Sequence, residues 1–99
     1  MSKSLFDLTG RIAVVTGGTT GLGHAIALGL AEAGADVIAS SRRQEQVDEA
    51  AAQIAPKGRK ALRLTSDVGD RATLQRLNDE TIKAWGKVDI LINCSGKDR

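Results

Sequence analysis

Two patterns of apolar residues alternate along the chain of 99 residues. Short apolar runs lie at residues 12–15, 36–40, 61–65 and 88–93. Their length, and the branched side chains that many of their residues carry, are typical of buried strands. Between these runs lie three segments whose apolar residues recur at the spacing of a helix. The chain is therefore predicted to fold in the order βαβαβαβ.

The first predicted helix begins near Leu22 and ends before Gly34, because glycine readily forms the left-handed cap at the end of a helix. Ala25 and Gly29 lie one turn apart and have little bulk, so this helix is expected to lie close to the sheet. Its predicted apolar face consists of Leu22, Ile26, Leu30 and Ala33.

The second predicted helix is ended by Pro56 and Gly58, and the third runs from an N-cap at Asp70 to Gly86. The apolar face of the second helix consists of Val47, Ala50, Ala51 and Ile54. The apolar face of the third consists of Leu74, Leu77, Ile82 and Trp85, and the tryptophan is expected to pack against the sheet.

Strands joined by helices in this order form a parallel sheet, because right-handed crossovers place the helices on its two faces. The expected fold class is α/β, a partial Rossmann-type sheet in three α/β/α layers with strand order 3-2-1-4. The strand order reverses between the first and fourth strands, so Gly17 and Asn93 should be neighbours at the carboxyl edge. Ligands of such sheets bind at this point.

Composition and charge argue against several kinds of partner. The formal charge is only +2, and the densest basic run, at residues 57–60, surrounds Gly58, so a solvated turn is favoured over a nucleic-acid site. Phe6 and Trp85 are too few to form a stacking platform for single strands. No apolar run is long enough to span a membrane, and no metal site is predicted.

The length of the chain suffices for one domain, residues 1–99. Cys94 is the only cysteine, so no internal disulfide can form. A chain without disulfides fits a reducing compartment, and a cytoplasmic location is therefore expected.

Four glycines lie between the first predicted strand and the first predicted helix: Gly17, Gly18, Gly21 and Gly23. The amides at the start of a helix attract an anion, and a backbone without side chains lets a phosphate approach closely. A P-loop would need lysine and then serine or threonine after the last glycine, but His24 and Ala25 follow here. The position between strand and helix therefore favours a dinucleotide site over a glycine-rich turn without a ligand.

The spacing Thr-Gly-x-x-x-Gly-x-Gly at residues 16–23 resembles that of the short-chain dehydrogenase/reductase family. The resemblance covers nearly the whole chain and includes FDLTGRIAVVTGG, the SDV after the third predicted strand and the INCSG after the fourth. It implies a Rossmann fold that binds a nicotinamide dinucleotide. In the complete enzyme, it implies hydride transfer between that cofactor and an alcohol or carbonyl compound.

The resemblance also implies individual contacts with the cofactor. Asp67 would contact the adenine amino group, with Val68 beside the ring, and Asn93 would brace the strands. Cys94 and Ser95 stand where the family usually has asparagine and alanine, which leaves their side-chain contacts open. The full predicted set is Gly17, Thr19, Thr20, Gly21, Leu22, Gly23, Ser41, Arg42, Asp67, Val68, Asn93, Cys94, Ser95 and Gly96.

The residues after the second predicted strand favour NADP(H) over NAD(H). A site for NAD places a carboxylate there to accept the ribose 2′-hydroxyl, but this chain has Ser41, Arg42 and Arg43. Arg42 offers a charge-assisted fork to a 2′-phosphate, and Ser41 can donate as well. The alternative is that both arginines are solvated charges before a helix, and Arg43 is expected to be one. Thr20 stands where some relatives that prefer NADP carry a basic residue.

No catalytic residue is predicted in this chain. The family uses a tyrosine acid/base with a lysine four residues later and a serine, and this chain contains no tyrosine. His24 fits a surface or phosphate-adjacent role better than that of a general base, because no orienting carboxylate is placed beside it. Cys94 is better explained as a small core residue than as a reactive thiol.

Three interpretations remain open: the cofactor-binding part of an oxidoreductase, a dinucleotide-binding module without chemistry, and a truncated or redesigned chain that keeps only its fold or assembly. The hydrophilic CSGKDR directly after an apolar run favours a truncated domain. The strand containing Ile90, Leu91 and Ile92 would then form an unpaired apolar edge. Such an edge predicts a homo-oligomer or a marginally stable monomer.

Overall fold

A computed structural model describes residues 7–57 and 61–94. Within these residues, three β-strands alternate with three α-helices. In chain order they are β1 (Ile12–Thr16), α1 (Gly21–Glu32), β2 (Asp36–Ser40), α2 (Gln44–Ile54), a 3₁₀ turn (Ala55–Lys57), α3 (Arg71–Trp85) and β3 (Ile90–Asn93). The α/β alternation expected from the apolar pattern is present.

The strands form a parallel sheet in the order β2-β1-β3. At the carboxyl edge, Thr16 of β1 is opposite Ser40 of β2 on one side and Asn93 of β3 on the other. Cys94 N donates to Thr16 O at 2.8 Å and continues the pairing beyond β3. The predicted reversal of strand order is therefore confirmed, with Asn93 beside the residue that precedes Gly17.

The predicted strand at residues 61–65 is not a strand in the structure, although the segment lies beside β2. Ser66 N donates to Ser41 O at 2.9 Å, and the Leu64 carbonyl accepts the Ser40 hydroxyl at 2.7 Å. Ser40 O accepts from Gly17 N on the β1 side, so the Ser41 carbonyl points to the opposite edge. The Leu64 carbonyl, which a regular ladder would pair with a backbone amide, thus accepts from the Ser40 side chain instead. Of the predicted strand order 3-2-1-4, the sheet therefore contains the second, first and fourth predicted strands, which are β2, β1 and β3. An irregular segment stands beside β2 where the third predicted strand was expected.

Helices cover both faces of the sheet, and the strand residues alternate between two clusters of buried side chains. On the face of α3, the buried residues Val14, Ile38 and Leu77 pack together with the partly buried Trp85, as predicted for the tryptophan. Leu62 and Leu64 of the irregular segment join this cluster. On the face of α1 and α2, the buried cluster comprises Ala13, Val15, Ala27, Ala31, Ala35, Val37, Ala39, Ala50 and Ile54.

The buried face of α1 differs from the predicted face. Gly23, Ala27 and Ala31 are its buried residues, whereas Leu22 is 75% exposed. Ala25 and Gly29, predicted to face the sheet, are exposed. A helix that buries only small side chains at i, i+4 and i+8 lies close to the strands, so close packing does occur, but through a different set of small residues.

The other two helices follow their predictions more closely. All four apolar residues predicted for the inner face of α2 are buried, and the helix ends at Ile54, two residues before Pro56. In α3, Asp70 caps the start by accepting from Ala72 N, and Gly86 ends the helix with φ of 91°. One position was wrong. Ile82 is 43% exposed, and Thr81 is buried instead, its hydroxyl donating to Leu77 O at 2.7 Å.

Candidate functional site

The turn between β1 and α1 is shaped by close backbone approaches. Gly17 has φ of +69°, and a Cβ placed there would lie 1.9 Å from Cys94 O. A Cβ at Gly23 would lie 2.1 Å from Gly17 O. These two glycines make room for the chain itself, so that the end of β3, the turn and the first turn of α1 touch one another.

Gly21 has different surroundings. Its φ of +58° favours glycine, yet a Cβ there would meet nothing within 4 Å. The N-cap of α1, Thr20, makes no side-chain hydrogen bond to the helix, and the first turn carries no acidic residue. The amides at the start of α1 therefore lack the side-chain cap that commonly satisfies them, and the helix dipole adds positive potential. This end of α1 can accept an anion.

A cleft of about 560 Å³ opens along the carboxyl edge of the sheet. It extends from the glycine turn, across the end of β2, to the loop before α3. The lining residues are Gly17, Thr19, Thr20, Ser41, Arg42, Arg43, Gln46, Ser66, Asp67, Val68, Gly69 and Cys94. Eight predicted cofactor-binding residues, distant in sequence, thus lie around one cavity.

The wall between the turn and β2 is a chain of polar side chains. Thr19 Oγ1 donates to Ser41 Oγ at 2.9 Å and lies 3.4 Å from Gln46 Oε1 of α2. Because a hydroxyl has one proton, the shorter contact to Ser41 leaves the Ser41 proton available to a molecule in the cleft. Ser41 therefore faces the site as a donor, which suits its predicted role.

Two arginines follow Ser41 at the rim of the cleft. Within the described part of the chain, the Arg42 side chain is exposed and makes no ion pair or hydrogen bond. Arg43, expected to be a solvated charge, is exposed and also lines the cleft as the N-cap of α2. Together with the start of α2, the two guanidinium groups make this rim attractive to an anion.

The opposite wall is formed by the loop that follows the irregular segment. Ser66 is buried, and its hydroxyl lies 2.7 Å from Ser40 Oγ. Asp67 uses one carboxylate oxygen, Oδ1, to accept from Gly69 N at 2.9 Å, while Val68 is 52% exposed. The second oxygen of Asp67 and the apolar surface of Val68 can accept an amino group and cover a flat ring, as the resemblance implies.

The remaining predicted site residues lie beside the cleft or outside the described part. Thr16 Oγ1 donates to Asn93 Oδ1 at 2.7 Å, so Asn93 ties β1 to β3, and its role beside a cofactor stays a prediction. Cys94 is partly buried, packs against the core and lines the cleft. Gly21, Leu22 and Gly23 belong to α1 and are not part of the cleft wall. Ser95 and Gly96 lie outside the described residues.

His24, the only histidine of the chain, is not a wall residue. Its Nε2 lies 2.6 Å from Gln53 Oε1 and so joins α1 to α2, while its Nδ1 is buried without a partner among the described residues. No group of three or more histidine, cysteine or acidic side chains within residues 7–57 and 61–94 is arranged to hold a metal ion.

Four wall residues were not predicted from the sequence: Arg43, Gln46, Ser66 and Gly69. Ser66 and Gly69 flank Asp67 and Val68, so their proximity in sequence was a usable signal. Gln46 carried no such signal, because its place in the wall depends on how α2 lies relative to the glycine turn. No helix in the described part of the chain is long and apolar enough to cross a membrane.

Comparison with known proteins gives consistent results. Residues 11–99 match the short chain dehydrogenase family. An uncharacterised oxidoreductase of Mycobacterium tuberculosis is 41% identical over 96 residues, which are 97% of this chain and 36% of that protein. The 2-dehydro-3-deoxy-D-gluconate 5-dehydrogenase of Escherichia coli is 40% identical over 96 residues, again 97% of this chain and 37% of the relative.

Solved structures of short-chain dehydrogenases are also similar to this chain. A short-chain type dehydrogenase/reductase from Mycobacterium marinum superposes with a TM-score of 0.83 at 38% sequence identity. The superposition covers 88% of this chain and 35% of that structure. The chain therefore spans little more than a third of the length of the proteins that it matches.

Proposed function

The chain belongs to the short-chain dehydrogenase/reductase family, and we propose that residues 1–99 form one dinucleotide-binding domain of a family oxidoreductase. The single observation that carries this proposal is the cleft at the carboxyl edge of the sheet. It brings together an uncapped helix start, the guanidinium group of Arg42, which has no partner among the described residues, and the exposed side chain of Val68. A pyrophosphate, a phosphorylated ribose and an adenine ring need these three surroundings.

The residues of the cleft fit such a cofactor. Gly21 leaves the approach to the helix start open, so no β-carbon stands between the first amides of α1 and a pyrophosphate. Asp67 and Val68 would hold the adenine ring, and Ser41 and Arg42 the ribose that carries it. When bound, a nicotinamide dinucleotide would supply the hydride donor or acceptor of the reaction.

We propose NADP(H) as the preferred cofactor. The end of β2 carries no carboxylate to accept a ribose 2′-hydroxyl, and Arg42 and Arg43 follow it at the rim of the cleft. A 2′-phosphate would gain a charge-assisted hydrogen bond from Arg42 and a second donor from Ser41.

The preference is tested by titrating NADPH and NADH against the protein with the Arg42→Ala variant alongside. We expect loss of the guanidinium to weaken NADPH binding by about tenfold or more, since hydrogen bonds to charged groups contribute about 1.5–3 kcal/mol. NADH binding should change little. Arg63→Ala, an exposed arginine paired with Asp48 outside the cleft wall, is the matched control. Equal affinities of the unmodified protein for the two cofactors would contradict the preference.

For this 99-residue chain we propose cofactor binding without turnover. The tyrosine acid/base that the family resemblance implies has no counterpart, because the chain contains no tyrosine. Measuring NADPH binding and carbonyl-dependent NADPH oxidation on the same sample separates the possibilities. Binding without oxidation supports a cofactor domain or module, and oxidation would require a different proton donor. The absence of both would favour a chain that keeps only its fold.

Exposure of the β3 edge supports a further proposal, self-association of this chain. Leu91 of β3 is 57% exposed, and within the described residues β3 has a partner strand only in β1. The cytoplasmic location expected from the single cysteine stays a prediction.

A further inference from the structure

Gln46 is the one wall residue that reaches the cleft from the first turns of α2. It is the third residue of that helix and is half-buried, and its backbone N donates to the Arg43 carbonyl at 3.1 Å. Its side-chain oxygen lies 3.4 Å from Thr19 Oγ1, which itself donates to Ser41 Oγ at 2.9 Å. Gln46 therefore stands at the inner end of a row of polar groups that leads to the predicted phosphate position.

The direction in which the hydroxyls of this row donate their protons depends on the charge of the residue at position 46. Opposite a neutral carboxamide at 3.4 Å, the Thr19 proton serves mainly the shorter bond to Ser41, and the Ser41 proton can be donated into the cleft. A carboxylate at the same position would attract the Thr19 proton through a charge-assisted hydrogen bond. Thr19 would then accept from Ser41, and the Ser41 proton would turn away from the cleft.

The charge itself acts in the same direction. The cleft wall already contains one carboxylate, Asp67, on the side opposite the glycine turn, and the two guanidinium groups of Arg42 and Arg43 at the rim. A second carboxylate at position 46 would repel a 2′-phosphate and would draw these guanidinium groups toward itself. A neutral side chain at this position leaves both free.

We propose that Gln46 is a specificity-determining residue, whose neutral carboxamide lets the Thr19–Ser41 hydroxyl pair donate to a ribose 2′-phosphate. The inference rests on the proposed dinucleotide function. It assigns to α2 a part in choosing between a phosphorylated and an unphosphorylated ribose. Gln46 acts through Thr19 and Ser41, so it is a positioning residue.

The test compares Gln46→Glu with the unmodified protein in fluorescence titrations of NADPH and NADH, and in competition by 2′,5′-ADP and 5′-AMP. We expect the ratio of NADPH to NADH affinity to fall by about tenfold or more, since hydrogen bonds to charged groups contribute about 1.5–3 kcal/mol. The affinities for NADH and 5′-AMP should stay within about twofold of the original, because neither ligand carries the 2′-phosphate. Gln46→Met, which removes this acceptor without adding charge, should leave the ratio within about twofold, because the Thr19 proton then serves only the bond to Ser41.

The matched control is Gln44→Glu, the same change two residues earlier on the exposed side of α2, outside the cleft wall. It should leave the ratio within about twofold. The inference is overturned if the unmodified protein prefers NADPH and Gln46→Glu keeps that preference. It is also overturned if Gln44→Glu lowers the ratio equally, or if NADH and 5′-AMP weaken as much as NADPH. If the unmodified protein binds neither dinucleotide, the proposed function fails and this inference fails with it.

Discussion

Single residues in the glycine turn meet different physical demands. Gly17 and Gly23 are required by the chain's own packing, because a side chain at either position would overlap a backbone carbonyl. Gly21 has open space where a side chain would be, and its φ of +58° favours glycine, so backbone conformation explains it better than packing does. A spacing that looks like one motif in the sequence therefore combines two packing requirements with one set by backbone conformation.

Asp89 is a second residue whose role becomes clear from its contacts. Its Oδ2 accepts from Ile12 N at 2.8 Å and lies 3.1 Å from Lys87 Nζ, while Arg11 Nη1 is 3.8 Å from Oδ1. The hydrogen bond from the Ile12 amide is the largest cause that holds the pKa of Asp89 below its ordinary value of 3.8, followed by the bond from Lys87. The carboxylate thus joins the start of β1 to the start of β3.

The lowered pKa predicts how stability depends on pH. Because the folded state favours the charged carboxylate, its contribution is fully present above the ordinary value of 3.8 and is lost as the pH falls through the lower folded pKa. Asp89→Asn should therefore lower the unfolding temperature at pH 7. The difference in unfolding temperature from the unmodified protein should shrink as the pH falls below the ordinary pKa of 3.8. Thermal unfolding followed by circular dichroism over this range measures it. A difference that stays constant with pH would contradict the assignment.

At the scale of elements, α1 shows how a helix chooses its buried face. The predicted face was built on the large residues Leu22 and Ile26, whereas the buried residues are Gly23, Ala27 and Ala31. At Gly23 the helix approaches the glycine turn so closely that even a β-carbon would meet the Gly17 carbonyl. Large side chains are therefore displaced to the flanks of the contact, where Leu28 and Leu30 pack from the side.

This arrangement predicts opposite results for one substitution at two positions in α1. Ala27→Leu places a large side chain at a fully buried position, and we expect it to destabilise the protein by about 1–3 kcal/mol through overpacking. Ala25→Leu, at an exposed position on the same helix, should change the free energy of unfolding by less than about 0.5 kcal/mol. Urea denaturation of both variants measures the difference. Equal effects would mean that α1 presents a different face to the sheet.

At the scale of the whole molecule, the described sheet has two unlike edges. Beyond β2 the irregular segment covers the edge with Leu62 and Leu64, which pack onto the α3 face of the core. At the other edge, β3 alternates between Ile90 and Ile92, which pack against the cluster under α1 and α2, and Leu91, which is 57% exposed on the α3 face. An apolar strand with one free side favours pairing with another strand.

We therefore expect the 99-residue chain to self-associate, with a sedimentation-average mass that rises with protein concentration. Leu91→Lys should shift the distribution toward the monomer, because a charge at a strand edge opposes pairing. Ile82→Lys, the same kind of change at an exposed apolar position of α3, should leave the distribution unchanged. A monomer that persists at high concentration in the unmodified protein would rule out the edge as an interface.

The sequence alone determined the features that depend on neighbours along the chain. Apolar periodicity placed β1, β2 and the inner face of α2, and the caps at Asp70 and Gly86 set the ends of α3, because caps and periodicity are local properties. The same local signals identified the glycine turn and the arginines after β2, and the resemblance of longer motifs supplied Asp67, Val68 and Cys94 of the cleft wall.

Only the tertiary structure decided which residues meet across elements. The small face of α1 and the burial of Thr81 in place of Ile82 follow from how closely each helix approaches the sheet. The missing ladder at residues 61–65 follows from a contact between Ser40 and Leu64, 24 residues apart. Gln46 likewise belongs to the cleft because of how α2 lies beside Thr19, 27 residues away in the sequence. Distances between segments remote in sequence depend on packing, and no periodicity encodes them.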